Sequence, residues 1–78
     1  MKFATMLKRA REGRGLTQPV LARKTGLPLA SIRNWEQGHR YPRVPALFRL
    51  AGFLGLAPQA LFAAIAEDKC AAFSGTGT

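Results

Sequence analysis

Seventy-eight residues with twelve Lys or Arg against four Asp or Glu, a formal net charge of +8, leave room for one domain built on one core. Cys70 is the only cysteine, which excludes an internal disulfide and an ordinary four-ligand zinc site. His39 is the only histidine, and with neither paired carboxylates nor a glycine-rich phosphate loop the chain reads as neither an enzyme nor a cofactor carrier.

The punctuation of the chain fits five short helices, an all-α fold. Phe3, Leu7 and Ala10, with Met6 beside them, give a first helix its apolar stripe, and Gly13 and Gly15 terminate it. Thr17 is a good N-cap for a second helix, whose Pro19 lies in the first turn, where a missing N–H is no loss. The small Ala22 allows a close helix crossing, and Gly26 can adopt the left-handed backbone of a sharp turn. Pro28 opens a third helix, with Ile32 and Trp35 at i and i+3 as its inward stripe. Gly38 ends that helix, and His39 to Arg43 form a loop. A fourth helix from about Val44 to Leu54 turns Leu47, Leu50, Ala51 and Leu54 inward and stops at Gly55. A fifth starts around Pro58 and carries Leu61, Phe62 and Ile65. Residues 1–66 are expected to form the folded domain, and residues 67–78 a short, partly flexible tail ending in a frayed SGTGT.

Charge divides the chain. Eleven of the twelve basic residues lie between Lys2 and Arg49, where Glu12 and Glu36 are the only acids; beyond Leu50 only Glu67, Asp68 and Lys69 are charged. A basic first half suits contact with a polyanion and an apolar second half suits packing or pairing, although a solvated surface would share this composition. Arg49, Gly52, Gly55 and Pro58 interrupt the apolar run from Val44 to Ala66, which fits two packed helices better than a membrane span. Lys2 and its neighbours lack the continuous apolar run of a secretory signal, so a reducing cytoplasm is the expected location.

The spacing of Gln18, Ala22, Gly26, Ile32 and Trp35 within LTQPVLARKTGLPLASIRNWEQG, with Thr17-Gln18 before it and Trp35-Glu36-Gln37-Gly38 at its end, resembles the lambda-repressor-like helix-turn-helix family of Cro/phage-repressor or Xre type. The resemblance runs from about Leu7 to Phe62 and includes Arg11, Pro42 and Leu54-Gly55-Leu56. It implies a five-helix domain with the helix-turn-helix at about 17–37. It also implies a bacterial or phage transcriptional regulator that needs no cofactor and reads double-stranded DNA by a recognition helix in the major groove. The chain departs from the family pattern where Leu27 or Pro28, Arg43 and Ala57 replace a Ser or Thr cap, each at a cost of ~1 kcal/mol. Val20 also stands where the family has a polar residue.

By the same resemblance, Leu29, Ala30 and Asn34 point most directly into the groove, and Ser31 and Arg33 reach bases or phosphates. Asn34 can pair in bidentate fashion with adenine and Arg33 with guanine, whereas Leu29, in place of a glutamine, and Ala30 offer only contact with thymine methyls. Specificity should then be modest, with a large share carried by phosphate contacts and DNA shape. Gln18, Gln37, Arg40, Tyr41, Arg43 and Arg14 are the expected phosphate contacts, with His39 a solvated neighbour. Arg11 and Glu36 are expected to form a structural salt bridge between the first helix and the end of the third, and Trp35 to be a core anchor.

Phe53, Phe62, Ile65 and Phe73 exceed what a five-helix core of this size needs. They suggest a two-fold homodimer spacing two recognition helices by about one DNA turn, ~34 Å, on a palindromic operator. The bland reading is that they complete a monomer core, with a helical tail folding back. A competing function is a protein-binding module, such as an antitoxin, whose apolar C-terminal helix is gripped by a toxin. RNA binding comes third, for want of exposed aromatic residues that stack on bases. No membrane or small-molecule partner is expected. With no separate sensing domain evident, control would come from the protein's own concentration or a second protein. That pattern suits restriction-modification controllers, phage repressors and short stand-alone regulators.

Overall fold

A computed structural model describes the backbone of residues 1–74 and the side chains of residues 1–70. Five helices follow one another: α1 (Lys2–Gly13), α2 (Gln18–Thr25), α3 (Leu29–Gln37), α4 (Val44–Leu54) and α5 (Pro58–Ser74). No strand occurs among the described residues.

Local chemistry accounts for most of the boundaries. The Thr17 hydroxyl accepts the amide of Val20 at 3.3 Å at the start of α2, and Pro19 occupies the first turn. Gly26 takes φ 72° between α2 and α3, a conformation that strains any residue with a Cβ, and its amide and that of Leu27 both return to the Ala22 carbonyl. Pro28 and Arg43 stand at the N-caps of α3 and α4, and neither start receives a side-chain cap. The proline ring presets φ at the α3 cap itself and, as Pro45, in the first turn of α4, which partly offsets that loss.

The helices close on a core of Phe3, Leu7, Leu21, Ile32, Leu47, Leu50 and Leu61, all fully buried, with Ala4, Trp35, Ala51, Leu54 and Ala64 beside them. Each large apolar side chain removed from water in this way contributes about 1.5–3 kcal/mol. Helix α1 packs on α3 and α5, α2 sits between α3 and α4, and α4 also packs on α5. The buried stripe of α1 is Phe3, Ala4, Leu7 and Arg11, with Met6 and Ala10 half-buried at its side. That turn of the helix away from the expected Ala10 brings Arg11 inward to an acidic partner.

The fifth helix differs most from expectation. It passes the anticipated boundary at Ala66 without a break and continues to Ser74. Glu67 and Asp68, read as tail residues, both bind α1. Phe62 lies on the flank of α5 and is 42% exposed, while Leu61 and Ala64 face the core. The frayed end expected beyond Ser74 and the side chain of Phe73 lie outside the described residues.

Candidate nucleic-acid interface

Helix α3 has an inward side that is fixed by the core. Ile32 is fully buried and Trp35 nearly so. The remaining residues of the helix, by its 100° turn per residue, look elsewhere. Ala30 and Arg33 are exposed; Leu29, Ser31 and Asn34 are half-buried, none of them sealed in the core. A helix with one such side left outside the core is the kind of element that a major groove admits.

Arg11 holds the far end of α3. Its Nε donates to Glu36 Oε2 at 2.7 Å and its Nη2 to Glu36 Oε1 at 3.0 Å, a two-pronged pairing, while Nη1 donates to the Leu16 carbonyl at 2.7 Å. The Glu36 side chain is 3% exposed and that of Arg11 10%. The hydrogen bond with Glu36 keeps the guanidinium charged, against the opposing effect of burial. Gln18 joins the same network by donating its side-chain Nε2 to Glu36 Oε1 at 3.1 Å. The first residue of α2 is thereby tied to the end of α3, which fixes the relative placement of the two helices.

The six residues expected at phosphates fall into two groups. Gln37, Arg40 and Arg43 stand exposed at the end of α3 and in the loop after it, with His39 exposed among them. Of the other three, Gln18 and Tyr41 are hydrogen-bonded within the chain and Arg14 lies over a neighbouring helix end. Gln18 is bound to Glu36, as above. The Arg14 guanidinium covers Gly55, at the end of α4, where outward-pointing carbonyls attract a cation. Tyr41 turns inward: its ring lies 5.8 Å from that of Phe3, its hydroxyl donates to Asp68 Oδ2 at 3.1 Å, and the Lys69 ammonium sits 5.3 Å from its ring centroid. Arg14 and Tyr41 thus each lie against a residue remote in sequence, Arg14 exposed and Tyr41 half-buried.

Asp68 is the centre of that inward group. Lys2 donates its backbone amide to Oδ1 at 2.7 Å and Phe3 its amide to Oδ2 at 3.0 Å, so a carboxylate from α5 caps α1. Burial alone would raise its pKa, but the two amides and the Tyr41 hydroxyl outweigh that and hold it below its ordinary value. Tyr41 is shifted up, by desolvation and by its bond to the carboxylate. Lys2 is also shifted up, through a 2.8 Å bond to the exposed Glu67.

The apolar side of the molecule contains a residue that sequence reasoning missed. Phe48 is 53% exposed and meets Phe62 edge-on, with ring centroids 6.3 Å apart. Val44, one turn before it, is exposed too. The available signal was their position off the Leu47/Leu50/Ala51/Leu54 stripe. Phe53 is also exposed, but five residues along α4 from Phe48 amounts to about 140° of rotation, so the two leave the helix on different sides. Ile65 is half-buried against the core.

The family model of helix-turn-helix proteins matches residues 7–61. The chain belongs to the helix-turn-helix family. Membership makes it a non-enzymatic DNA-binding regulator. Among solved structures, this helix-turn-helix protein is similar to the restriction-modification controller protein C.AhdI from Aeromonas hydrophila, at 32% identity and a TM-score of 0.71 over 77% of this chain and 91% of that one. It is similar to a helix-turn-helix-family transcriptional regulator from Vibrio cholerae at 32% identity and a TM-score of 0.70, over 80% of this chain and 35% of that one. A single-residue variant of the controller protein C.Esp1396I shares the fold at 23% identity and a TM-score of 0.69, over 88% of this chain and 87% of that one. A comparison with curated proteins found no match. Among the described residues no helix is long and apolar enough to cross a membrane.

Proposed function

We propose that this protein regulates transcription by laying α3 in the major groove of a palindromic operator, as a two-fold dimer. The observation that carries the reading is the division of α3 into a face locked by Ile32, Trp35 and the Arg11–Glu36 pair and a face left open beside exposed Gln37, Arg40 and Arg43. Leu29, Ala30, Ser31, Arg33 and Asn34 meet the bases, and Asn34 and Arg33 supply the bidentate hydrogen bonds. Gln37, Arg40 and Arg43 neutralise phosphates; Gln18 joins them by exchanging its bond to Glu36 for one to the backbone. The likeness to a restriction-modification controller protein supports the regulatory part of this reading.

The dimer forms around the exposed Phe48–Phe62 pair, with Ile65 at its margin and Phe53 toward the far side of α4. Two aromatic rings presented to solvent on adjacent helices support a second copy as the occupant. Selection of bound duplexes from a random pool at two salt concentrations tests the whole reading. A palindromic motif with half-sites about one turn apart is the expected result, and the absence of any enriched duplex at low salt would overturn it. A chain that sediments as a monomer yet captures a toxin-like partner through Phe48 and Phe62 would favour the protein-binding alternative.

A further inference from the structure

Three separate parts of the molecule converge on one carboxylate. Asp68 of α5 accepts two free amides at the start of α1 and the hydroxyl of Tyr41, which lies in the loop between α3 and α4. The residues on either side of Tyr41 include Arg40 and Arg43, both exposed and both without an ion-pair partner among the described residues. The loop from Gly38 to Arg43 lies outside any helix; its ends are tied to α3 by the Gly38 and His39 amides and to α4 by the Arg43 carbonyl, while Arg40, Tyr41 and Pro42 make no backbone hydrogen bond. Here the Tyr41 side chain is its anchor: hydroxyl on Asp68, ring on Phe3, Lys69 over the ring.

We propose that Asp68 is a positioning residue for duplex binding: through Tyr41 it sets the loop that presents Arg40 and Arg43 to the DNA backbone, although it never touches DNA itself. The inference rests on the DNA-binding reading above and adds to it a residue on the helix furthest from α3 in sequence. A negative side chain would ordinarily weaken attraction to a polyanion. In this position it strengthens binding, because an ordered pair of guanidinium groups loses less freedom on meeting phosphate than a mobile pair.

The sign of that effect makes the test sharp. Asp68→Asn raises the net positive charge by one, and on charge alone should tighten duplex binding. It also leaves a single acceptor oxygen where three donors converge on two. Tyr41→Phe removes only the hydroxyl, alters no charge, and leaves both α1 amides capped, so it stays folded even where Asp68→Asn does not. Binding of the full chain to a duplex is measured across salt concentrations for both variants, alongside hydrogen exchange of the Arg40, Tyr41 and Arg43 amides without DNA. Tyr41→Phe should bind about fivefold more weakly, the effect of one ordinary hydrogen bond. Asp68→Asn should weaken binding more. In both variants the log–log salt slope should shrink by ~0.9 for each phosphate that is no longer neutralised. Exchange should quicken in the loop and stay constant at Ile32 and Trp35. Tyr41→Phe with wild-type affinity and slope, or Asp68→Asn binding more tightly than wild type, overturns the proposal while leaving the DNA reading intact. Failure of the wild-type chain to bind any duplex removes both.

Discussion

Arg11 and Glu36 face each other across 25 residues of sequence and are joined by two parallel hydrogen bonds, at 2.7 and 3.0 Å, that hold the first helix to the end of the third. Removing either partner strands the other inside the protein. Glu36→Ala should destabilise the fold by about 3–5 kcal/mol, the usual consequence of an unpaired buried charge. Thermal melting reads this as a fall in Tm of at least ~12 °C for a domain of this size. The double variant Arg11→Leu/Glu36→Leu should recover much of the loss, because two apolar groups in contact leave no charge unpaired.

The two kinds of DNA contact separate by experiment. Asn34→Ala and Arg33→Ala should each reduce operator affinity by about 1–3 kcal/mol and relax the preference at one base position. Arg40→Ala and Arg43→Ala should weaken binding to all duplexes alike and lower the salt slope by ~0.9 each. Titration of specific and scrambled duplexes at several salt concentrations distinguishes the outcomes.

Phe48 and Phe62 are exposed, so charging one of them should leave the monomer fold in place. Phe62→Glu is expected to shift sedimentation from dimer to monomer at micromolar concentration, with helical content unchanged. Operator binding should then become weaker and lose cooperativity. A Phe62→Glu chain that sediments like wild type would place the pairing surface elsewhere.

Asp68 and Tyr41 give stability a pH dependence at both ends. The Asp68 carboxyl has a lower pKa folded than unfolded, so its contribution is full above the unfolded value near 4 and fades as pH falls through the folded value. The Tyr41 phenol is shifted the other way; its contribution is present below about pH 10 and is lost as pH rises through the folded value. Melting curves of wild type and Asp68→Asn should differ at neutral pH and converge well below pH 4.

The helices were legible because their signals are local. Thr17, Gly26, Gly38 and Gly55 mark ends through backbone preferences of one residue or one hydrogen bond, and the Ile32/Trp35 and Leu47/Leu50/Leu54 spacings name inward faces by period alone. The open side of α3 follows from that same period. What lay beyond the sequence were contacts that only tertiary packing creates. Nothing near Tyr41 foretells Asp68, 27 residues on, and nothing near Arg14 foretells Gly55. Phe48 escapes a reading by sequence because a phenylalanine in an apolar helix reads as core until its neighbours are placed. The continuation of α5 past Ala66 was hidden by the charges at Glu67 to Lys69, which look like a solvated tail but are bound to α1 and Tyr41.

The start of α1 contains no acid or cap of its own, and the carboxylate that completes it arrives 66 residues later. A nascent chain leaving the ribosome can therefore wind the helix-turn-helix early, from contacts close in sequence. The free amides of its opening turn have no carboxylate to bind until Asp68 has been synthesised. Closure of this ring of structure is a late, high-contact-order event in folding, and it sets the final shape of the loop beside the recognition helix only once synthesis has passed Asp68.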